Sequence, residues 1–283
     1  MLELIETVAA LRERLAPHSC GKGEVVGFVP TMGALHAGHA ALIDAARGEC
    51  TIVVVSIFVN PLQFNSQDDL ATYPRTLEAD LAFCRQHHAD VVFAPSASEV
   101  YPVQPECSVD VGRLGNHLCG MFRPGHFRGV ATVVLKLFNI VRPHRAYFGE
   151  KDAQQLAIIK RLVADFDLVT DVVGVATVRE ADGLAMSSRN RHLSGAEREV
   201  APSLYRALTH AREMIAGGER NAPAIRSAAA AMIPRSEMLK LEYFEIVDPE
   251  TLQPVAEING PARVAGALWV GTTRLIDNVL ARP

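Results

Sequence analysis

Through residues 1–170, short unbroken apolar runs alternate with longer segments whose apolar residues recur at spacings of three and four. The runs VVGFV (25–29), TIVVVSIFV (51–59) and ADVVFAP (89–95) are rich in β-branched residues and lack in–out alternation. That is the pattern of strands buried on both faces of a parallel sheet. Between them, HAALIDAARG and TLEADLAFCRQHHA carry the period of amphipathic helices. GVATVVLKLFNIV (129–141) predicts a helix ahead of a strand RAYFG (145–149), and DAQQLAIIKRLVADF a helix ahead of DVVGVATV (171–178). The rhythm predicts a doubly wound, Rossmann-like α/β domain, with ligands at the carboxyl ends of its strands.

Beyond residue 178 the texture changes. GAEREVAPSLYRALTHAREMIAGG and APAIRSAAAAMI predict Ala-rich helices separated at Gly217-Gly218. KLEYFEIVDP (240–249), ARVAGALWVG (262–271) and RLIDNVL (274–280) then predict strands joined by turns. Helices followed by a small antiparallel sheet make a smaller α+β domain. The expected division is therefore 1–176 and 177–283, with no internal repeat and no low-complexity tract.

Composition narrows this picture more than it extends it. At 49% hydrophobic residues and a mean hydropathy of +0.13, the 283-residue chain can bury two cores, which excludes wholesale disorder. A net charge of −4 argues against a nucleic-acid-binding surface. There is no run of 18 apolar residues, so no membrane span is expected. The opening MLELIETVAALRERL sets Glu3, Glu6 and Glu13 at helical spacing without a basic leader, so it does not read as a signal peptide. The five cysteines (Cys20, Cys50, Cys84, Cys107, Cys119) never form C-x-x-C, which suits free thiols in a reducing cytoplasm.

Polar, glycine-adjacent residues gather where predicted strands end. In PTMGALHAGH, residues 30–39, His36 and His39 sit at the start of a predicted helix, whose unpaired N–H groups and dipole attract anions. Gly33 and Gly38 allow close approach of a bulky ligand. The histidines could donate to phosphate oxygens; the alternative is a structural pair that caps the helix. A zinc pair lacks a third ligand nearby. In FVNPLQF, Asn60 and Gln63 can bond hydroxyls or a carboxylate, although Asn-Pro also starts a turn unaided. FGEKDAQQ offers Lys151 to a phosphate, with Asp152 as a helix cap or a magnesium or hydroxyl partner, and Gln155 one turn on; a solvated charged surface is the alternative. MSSRN places Ser187, Ser188 and Arg189 in a row, a phosphate clamp or an ordinary polar loop. FRPGHFRGV adds Arg123, His126 and Arg128 in a loop that could gate an anionic substrate. No Walker A, G-x-G-x-x-G or G-x-S-x-G pattern occurs, so P-loop, nicotinamide and esterase chemistry lack support.

Together, PTMGALHAGH, FVNPLQF, YPRTLEADL, RPGHFRGV, FGEKDAQQL and VREADGLAMSSRNRHLS resemble the pantothenate synthetase (pantoate–β-alanine ligase) family of the H-x-G-H nucleotidyltransferase superfamily. The likeness runs from about residue 2 to residue 280 and includes DNVL near the end; Ala40 departs from it, where a larger apolar residue is expected. The resemblance implies ATP- and Mg2+-dependent condensation of pantoate with β-alanine, through pantoyl adenylate, to pantothenate, AMP and pyrophosphate. It implies that His36, His39, Lys151, Ser187, Ser188 and Arg189 act on the phosphates. Pro30, Thr31, Met32, Gly38, Phe148, Gly149, Asp152, Val178 and Met186 would complete the ATP site. Met32, Asn60, Gln63, Arg123, His126 and Gln155 would meet pantoate, with Pro30 beside them, and Asp80 would be linked to magnesium. It further implies a homodimer and a second domain that closes over the site. The rivals are a nucleotidyltransferase that stops at a phosphate acceptor, and a non-catalytic nucleotide-binding protein that keeps the fold.

Overall fold

A computed structural model describes residues 2–19 and 23–283. Cys20, one of the five thiols, lies outside the described residues. The chain forms two compact units: Met1–Val111 with Arg123–Glu150 and Ile158–Ala176, and Gly112–Phe122 with Lys151–Ala157 and Thr177–Pro283.

The elements run β1 (Glu3–Ile5), α1 (Val8–Ser19), β2 (Val26–Thr31), α2 (Ala37–Glu49), β3 (Ile52–Ile57), α3 (Gln67–Thr72), α4 (Leu77–Gln86), β4 (Val91–Phe93) and α5 (Ala97–Val100). There follow α6 (Cys119–Phe122), α7 (His126–Val141), β5 (Arg145–Gly149), α8 (Ala153–Asp165), β6 (Asp171–Val175), α9 (Gly195–Val200), α10 (Ser203–Ala216) and α11 (Ala222–Ala230). The chain ends in β7 (Leu239–Val247), β8 (Ala262–Val270) and β9 (Thr273–Ala281).

The first unit is a six-stranded sheet in the order β1-β4-β3-β2-β5-β6, parallel at every pairing. The chain works outward from β2 through β3 and β4, then returns to place β5 against β2. Such a reversal of strand order opens a crevice at the carboxyl ends of the two strands, here after Thr31 and Gly149. Val53, Val54, Val55, Val91, Val92 and Phe93 are fully buried, which is why these strands read as continuous apolar runs. Helix α2 turns Leu42, Ile43 and Ala46 inward. Its approach needs Gly27, since a Cβ there would lie 2.7 Å from Cys50 Sγ.

Several boundaries differ from the sequence reading: β6 ends at Val175 and not at 178, and Gly112–Phe122 and Lys151–Ala157 group with the second unit. The opening segment, read as helical from its glutamates, first makes the edge strand β1 against β4, with Ile5 buried. Strand β2 continues through Pro30 to Thr31. Helix α7 starts at His126, so His126 and Arg128 are helical residues and not members of a loop.

Gly129, in the first turn of α7, packs where no side chain fits: a Cβ would sit 2.2 Å from the Leu62 carbonyl oxygen and 2.8 Å from Gln63 Cα. We expect Gly129→Ala to destabilise the protein by about 1–3 kcal/mol through overpacking. Urea unfolding at equilibrium measures this, and a midpoint unchanged from the unsubstituted protein contradicts it.

In the second unit β7, β8 and β9 form an antiparallel meander. Leu204, Ala207, Leu208, Ala211 and Ile215 lie along one face of α10, and share a core with Val264, Leu268 and Leu275. The four described cysteines are free thiols. Burial pushes the Cys84 thiol up to about 12 and raises Cys50 as well, so both are inert packing groups. Among the described residues, no helix is long and apolar enough to cross a membrane.

Candidate active site

In the first unit the chain leaves β2 through a tight loop and enters α2 at the two histidines. Gly33 (φ 83°) and Ala34 (φ 52°) are both left-handed, a conformation that strains a non-glycine residue such as Ala34. The Asp80 carboxylate holds that shape. Its Oδ2 accepts from the Ala34 N–H at 3.0 Å and from Thr76 Oγ1 at 3.1 Å, and its Oδ1 accepts from the Leu35 N–H at 2.8 Å. Asp80 is 3% exposed, and a Cβ on Gly33 would approach its Oδ2 to 3.0 Å. Thr31 Oγ1 ties the base of the loop, donating to the Ser56 carbonyl at 2.7 Å and accepting from the Gly33 N–H at 3.2 Å.

His36 is the extended N-cap of α2. Its Nδ1 accepts from the Gly38 N–H at 3.1 Å, while His39 Nδ1 accepts from the His36 N–H at 3.2 Å. This reciprocal pairing is a capping box built from two imidazoles. A nitrogen that accepts cannot carry the ring proton, so each neutral ring holds its hydrogen on Nε2. The rings lie 4.2 Å apart, centre to centre. The capping alternative and the donor reading thus describe the same geometry: the cap fixes the tautomer, and the tautomer makes each histidine a donor from Nε2.

Asn60 and Gln63 form a buried network beside this loop. Asn60, 1% exposed, caps the turn Pro61–Gln63. Its Oδ1 accepts from the Leu62 N–H at 3.3 Å and the Tyr101 hydroxyl at 3.0 Å, and its Nδ2 donates to Gln63 Oε1 at 3.0 Å and the Gly129 carbonyl at 3.2 Å. Those four bonds saturate an amide side chain, so Asn60 works here by fixing Gln63. Gln63 Nε2 lies 3.1 Å from Met32 Sδ. Tyr101 carries no signal of this role in the sequence. Burial pushes its hydroxyl up to about 12, which keeps it a donor at neutral pH. His126 is buried, and its Nδ1 donates to the Gln63 carbonyl at 2.8 Å. Its Nε2 therefore accepts from Arg123 Nη1 at 3.1 Å. His126 thereby braces Gln63. Phe148, expected beside the nucleotide, is 3% exposed and packs edge-on to Phe138, so it is a core residue. A Cβ at Gly149 would meet nothing within 4 Å.

In the second unit Lys151, Ser187 and Arg189 line one cleft together with Tyr205, Arg274 and Asp277. Lys151 Nζ lies 3.8 Å from the exposed Asp152 carboxylate. Ser187 Oγ accepts from the Arg189 N–H at 3.3 Å and caps the turn Ser188–His192. Val178 and Met186 are brought together, the Met186 N–H donating to the Val178 carbonyl at 2.9 Å. Gln155 is half-buried, whereas its neighbour Gln154 is buried and donates from Nε2 to the carbonyls of Leu114 and His117, both at 2.8 Å. Gln154 is a structural anchor that the sequence did not reveal.

The arrangement lacks a metal cage. Among the described residues no three His, Cys, Asp or Glu side chains are grouped to hold an ion. Both oxygens of Asp80, expected to meet magnesium, are engaged by Ala34, Leu35 and Thr76.

Comparison with known proteins joins these features to a family. The profile described as pantoate–β-alanine ligase matches residues 3–280. A bifunctional pantoate ligase/cytidylate kinase of Synechococcus sp. (strain JA-3-3Ab) is 51% identical across 100% of this chain and 53% of its own length. This chain therefore spans about half the length of such relatives. The crystal structure of pantothenate synthetase from Thermus thermophilus is similar with a TM-score of 0.92 and 46% identity, covering 99% of this chain and 100% of that one. A pantoate–β-alanine ligase from Francisella tularensis, described as complexed with beta-gamma ATP and β-alanine, gives a TM-score of 0.80 at 35% identity over 99% and 98% of the two chains. With its paired histidines, parallel sheet and this match from end to end, the chain belongs to the pantoate–β-alanine ligase family.

Proposed function

We propose that this protein condenses pantoate with β-alanine at the expense of ATP, giving pantothenate, AMP and pyrophosphate. The observation that carries the reading is the pair of imidazoles held as Nε2 donors at the mouth of α2, beside the β2–β5 crevice. Oxide cannot leave from a free carboxylate, so the acid is first activated. A pantoate carboxylate oxygen attacks the α-phosphorus, the bond to the bridging oxygen breaks, and pyrophosphate departs with the electron pair. The β-alanine amine then attacks the acyl carbon of pantoyl adenylate, AMP leaves, and the amine gives up a proton. No protein nucleophile is needed, so catalysis rests on positioning and charge stabilisation.

In this reading His36 and His39 donate to phosphate oxygens, while Lys151, Ser187, Ser188 and Arg189 neutralise and bind the departing pyrophosphate. Gln63, fixed by Asn60, and Gln155 read the hydroxyls and carboxylate of pantoate next to Met32. Gly149, Asp152, Val178 and Met186 meet the nucleoside. Magnesium enters as the counter-ion of ATP, because Asp80 is engaged elsewhere. We also propose a reducing, cytoplasmic setting, in keeping with the free described thiols, and a homodimer built on the first unit.

The test follows pyrophosphate and AMP separately with ATP, Mg2+ and pantoate present. Without β-alanine, pyrophosphate release is expected to stop at about one equivalent per active site while the adenylate stays bound. Adding β-alanine restores turnover, with AMP and pantothenate in step. Pyrophosphate release that needs no pantoate, or that needs a phosphorylated acceptor, assigns the protein to another nucleotidyltransferase reaction.

A further inference from the structure

The DN pair near the end of the chain has no place in the chemistry above, yet it ties together the residues that do. Asp277 and Asn278 are successive residues of β9, each 6% exposed. Asp277 receives a two-pronged bond from Arg179, Nη1 to Oδ2 at 2.6 Å and Nη2 to Oδ1 at 2.9 Å, and its Oδ1 also accepts from the Asn278 N–H at 2.7 Å. Burial raises the Asp277 carboxyl against the pull of Arg179. Arg179 in turn donates to the Gly183 carbonyl at 3.0 Å and lies 3.9 Å above the Tyr205 ring centre. Gly183 is left-handed (φ 91°), and a Cβ on it would strike the Tyr205 ring at 2.2 Å.

Arg179 sits in the first arm of a short hairpin, bridged to Ala185 in the second. That second arm runs directly into Ser187, Ser188 and Arg189. A guanidinium held by Asp277, the Gly183 carbonyl and the Tyr205 ring therefore sets where the serine–arginine turn begins. Asn278 acts on the other half of the cleft: its Nδ2 donates to the Lys151 carbonyl at 3.0 Å, and its Oδ1 accepts from Arg263. Lys151, Ser187, Arg189 and Asp277 line the same cleft.

We propose that Asp277 and Asn278 are positioning residues for the triphosphate-handling groups, Asp277 through Arg179 and the 178–186 hairpin, and Asn278 through the backbone of Lys151. The proposal rests on the reading of Lys151, Ser187, Ser188 and Arg189 given above. Neither residue donates to substrate. Each holds in register two segments that are far apart in sequence, and a displacement of about 1 Å in such groups costs up to about 10²-fold in rate.

The test compares the full-length protein with Asn278→Ala and with the double variant Arg179→Gln/Asp277→Asn, which removes the ion pair without leaving a buried charge unpaired. Kinetics are measured for each substrate, alongside thermal unfolding and amide exchange across residues 184–190. Both variants are expected to unfold cooperatively, to lose about 10²-fold in kcat/KM for ATP, and to keep KM for pantoate and β-alanine within about twofold. Exchange across 184–190 rises in the double variant. Folded variants with ATP kinetics within about threefold of the original overturn the proposal, as does an equal loss toward all three substrates. Lys151→Ala is the control. If Lys151→Ala is impaired while the variants are intact, this proposal alone fails. If Lys151→Ala is unimpaired, the reading of the cleft fails and takes the proposal with it.

Discussion

Replacing His36, His39 or Lys151 by alanine lowers ATP-dependent pyrophosphate release by about 10²–10³-fold, equivalent to about 2.7–4 kcal/mol of lost transition-state stabilisation. As pyrophosphate leaves, negative charge accumulates on phosphate oxygens. In the proposed reaction the two Nε2–H groups, whose tautomer the cap fixes, and the Lys151 ammonium meet that charge. The histidine variants carry a second cost, because both rings also cap α2 through Nδ1. Losing a cap destabilises by about 1 kcal/mol. His36→Asn separates the two effects: asparagine is a good N-cap whose Oδ1 can accept from the Gly38 N–H, yet it puts no donor where Nε2 stands. We therefore expect His36→Asn to melt like the unsubstituted protein and still release pyrophosphate at the alanine variant's rate. Single-turnover pyrophosphate release and thermal unfolding check this together. Near-normal release in the alanine variants removes the histidines and lysine from the chemistry.

Signals carried along the chain are legible in the sequence, and those created by folding are not. Strands β2, β3 and β4 were legible because burial on both faces leaves an unbroken run rich in β-branched residues, a signal that needs no partner to be read. The histidines were legible because strand end, glycines and helix start are contiguous in the chain. Strand β1 was not, since its three residues are too few to show a period and its flanking glutamates fit a helix equally well. The supporting groups escaped for a different reason. Tyr101 reaches Asn60 across 41 positions, Arg179 reaches Asp277 across 98, and Asn278 reaches Lys151 across 127. Nothing local marks such residues, for their meaning lies in a pairing that exists only after folding. The same cause hid the contacts of Asp80 and His126 from the sequence. Each carries a side chain suited to ligand chemistry, and each also bonds backbone groups brought in from distant parts of the chain, Asp80 the N–H groups of Ala34 and Leu35 and His126 the Gln63 carbonyl.

Asp80→Ala is expected to be the most damaging substitution in the first unit. It orphans the N–H groups of Ala34 and Leu35, and an unsatisfied buried donor costs about 1–3 kcal/mol. It also removes the acceptor that keeps Ala34 left-handed, so the loop that delivers His36 relaxes. Asp80→Asn is the sharper test. The amide can accept through one oxygen, but its nitrogen cannot accept from the second N–H, so one donor is still left unmet. We expect Asp80→Asn to fold with reduced stability and to lose at least about 10-fold in adenylation rate, as a displaced histidine requires. The response to magnesium then decides what Asp80 does. A carboxylate that held the ion would, once replaced, leave an enzyme whose rate climbs with added Mg2+ toward the original value. A carboxylate that holds the loop leaves a deficit that no concentration of Mg2+ repairs. Titration of Mg2+ at saturating ATP distinguishes the two, and recovery of the Asp80→Asn rate at high Mg2+ would return Asp80 to the role of a metal ligand.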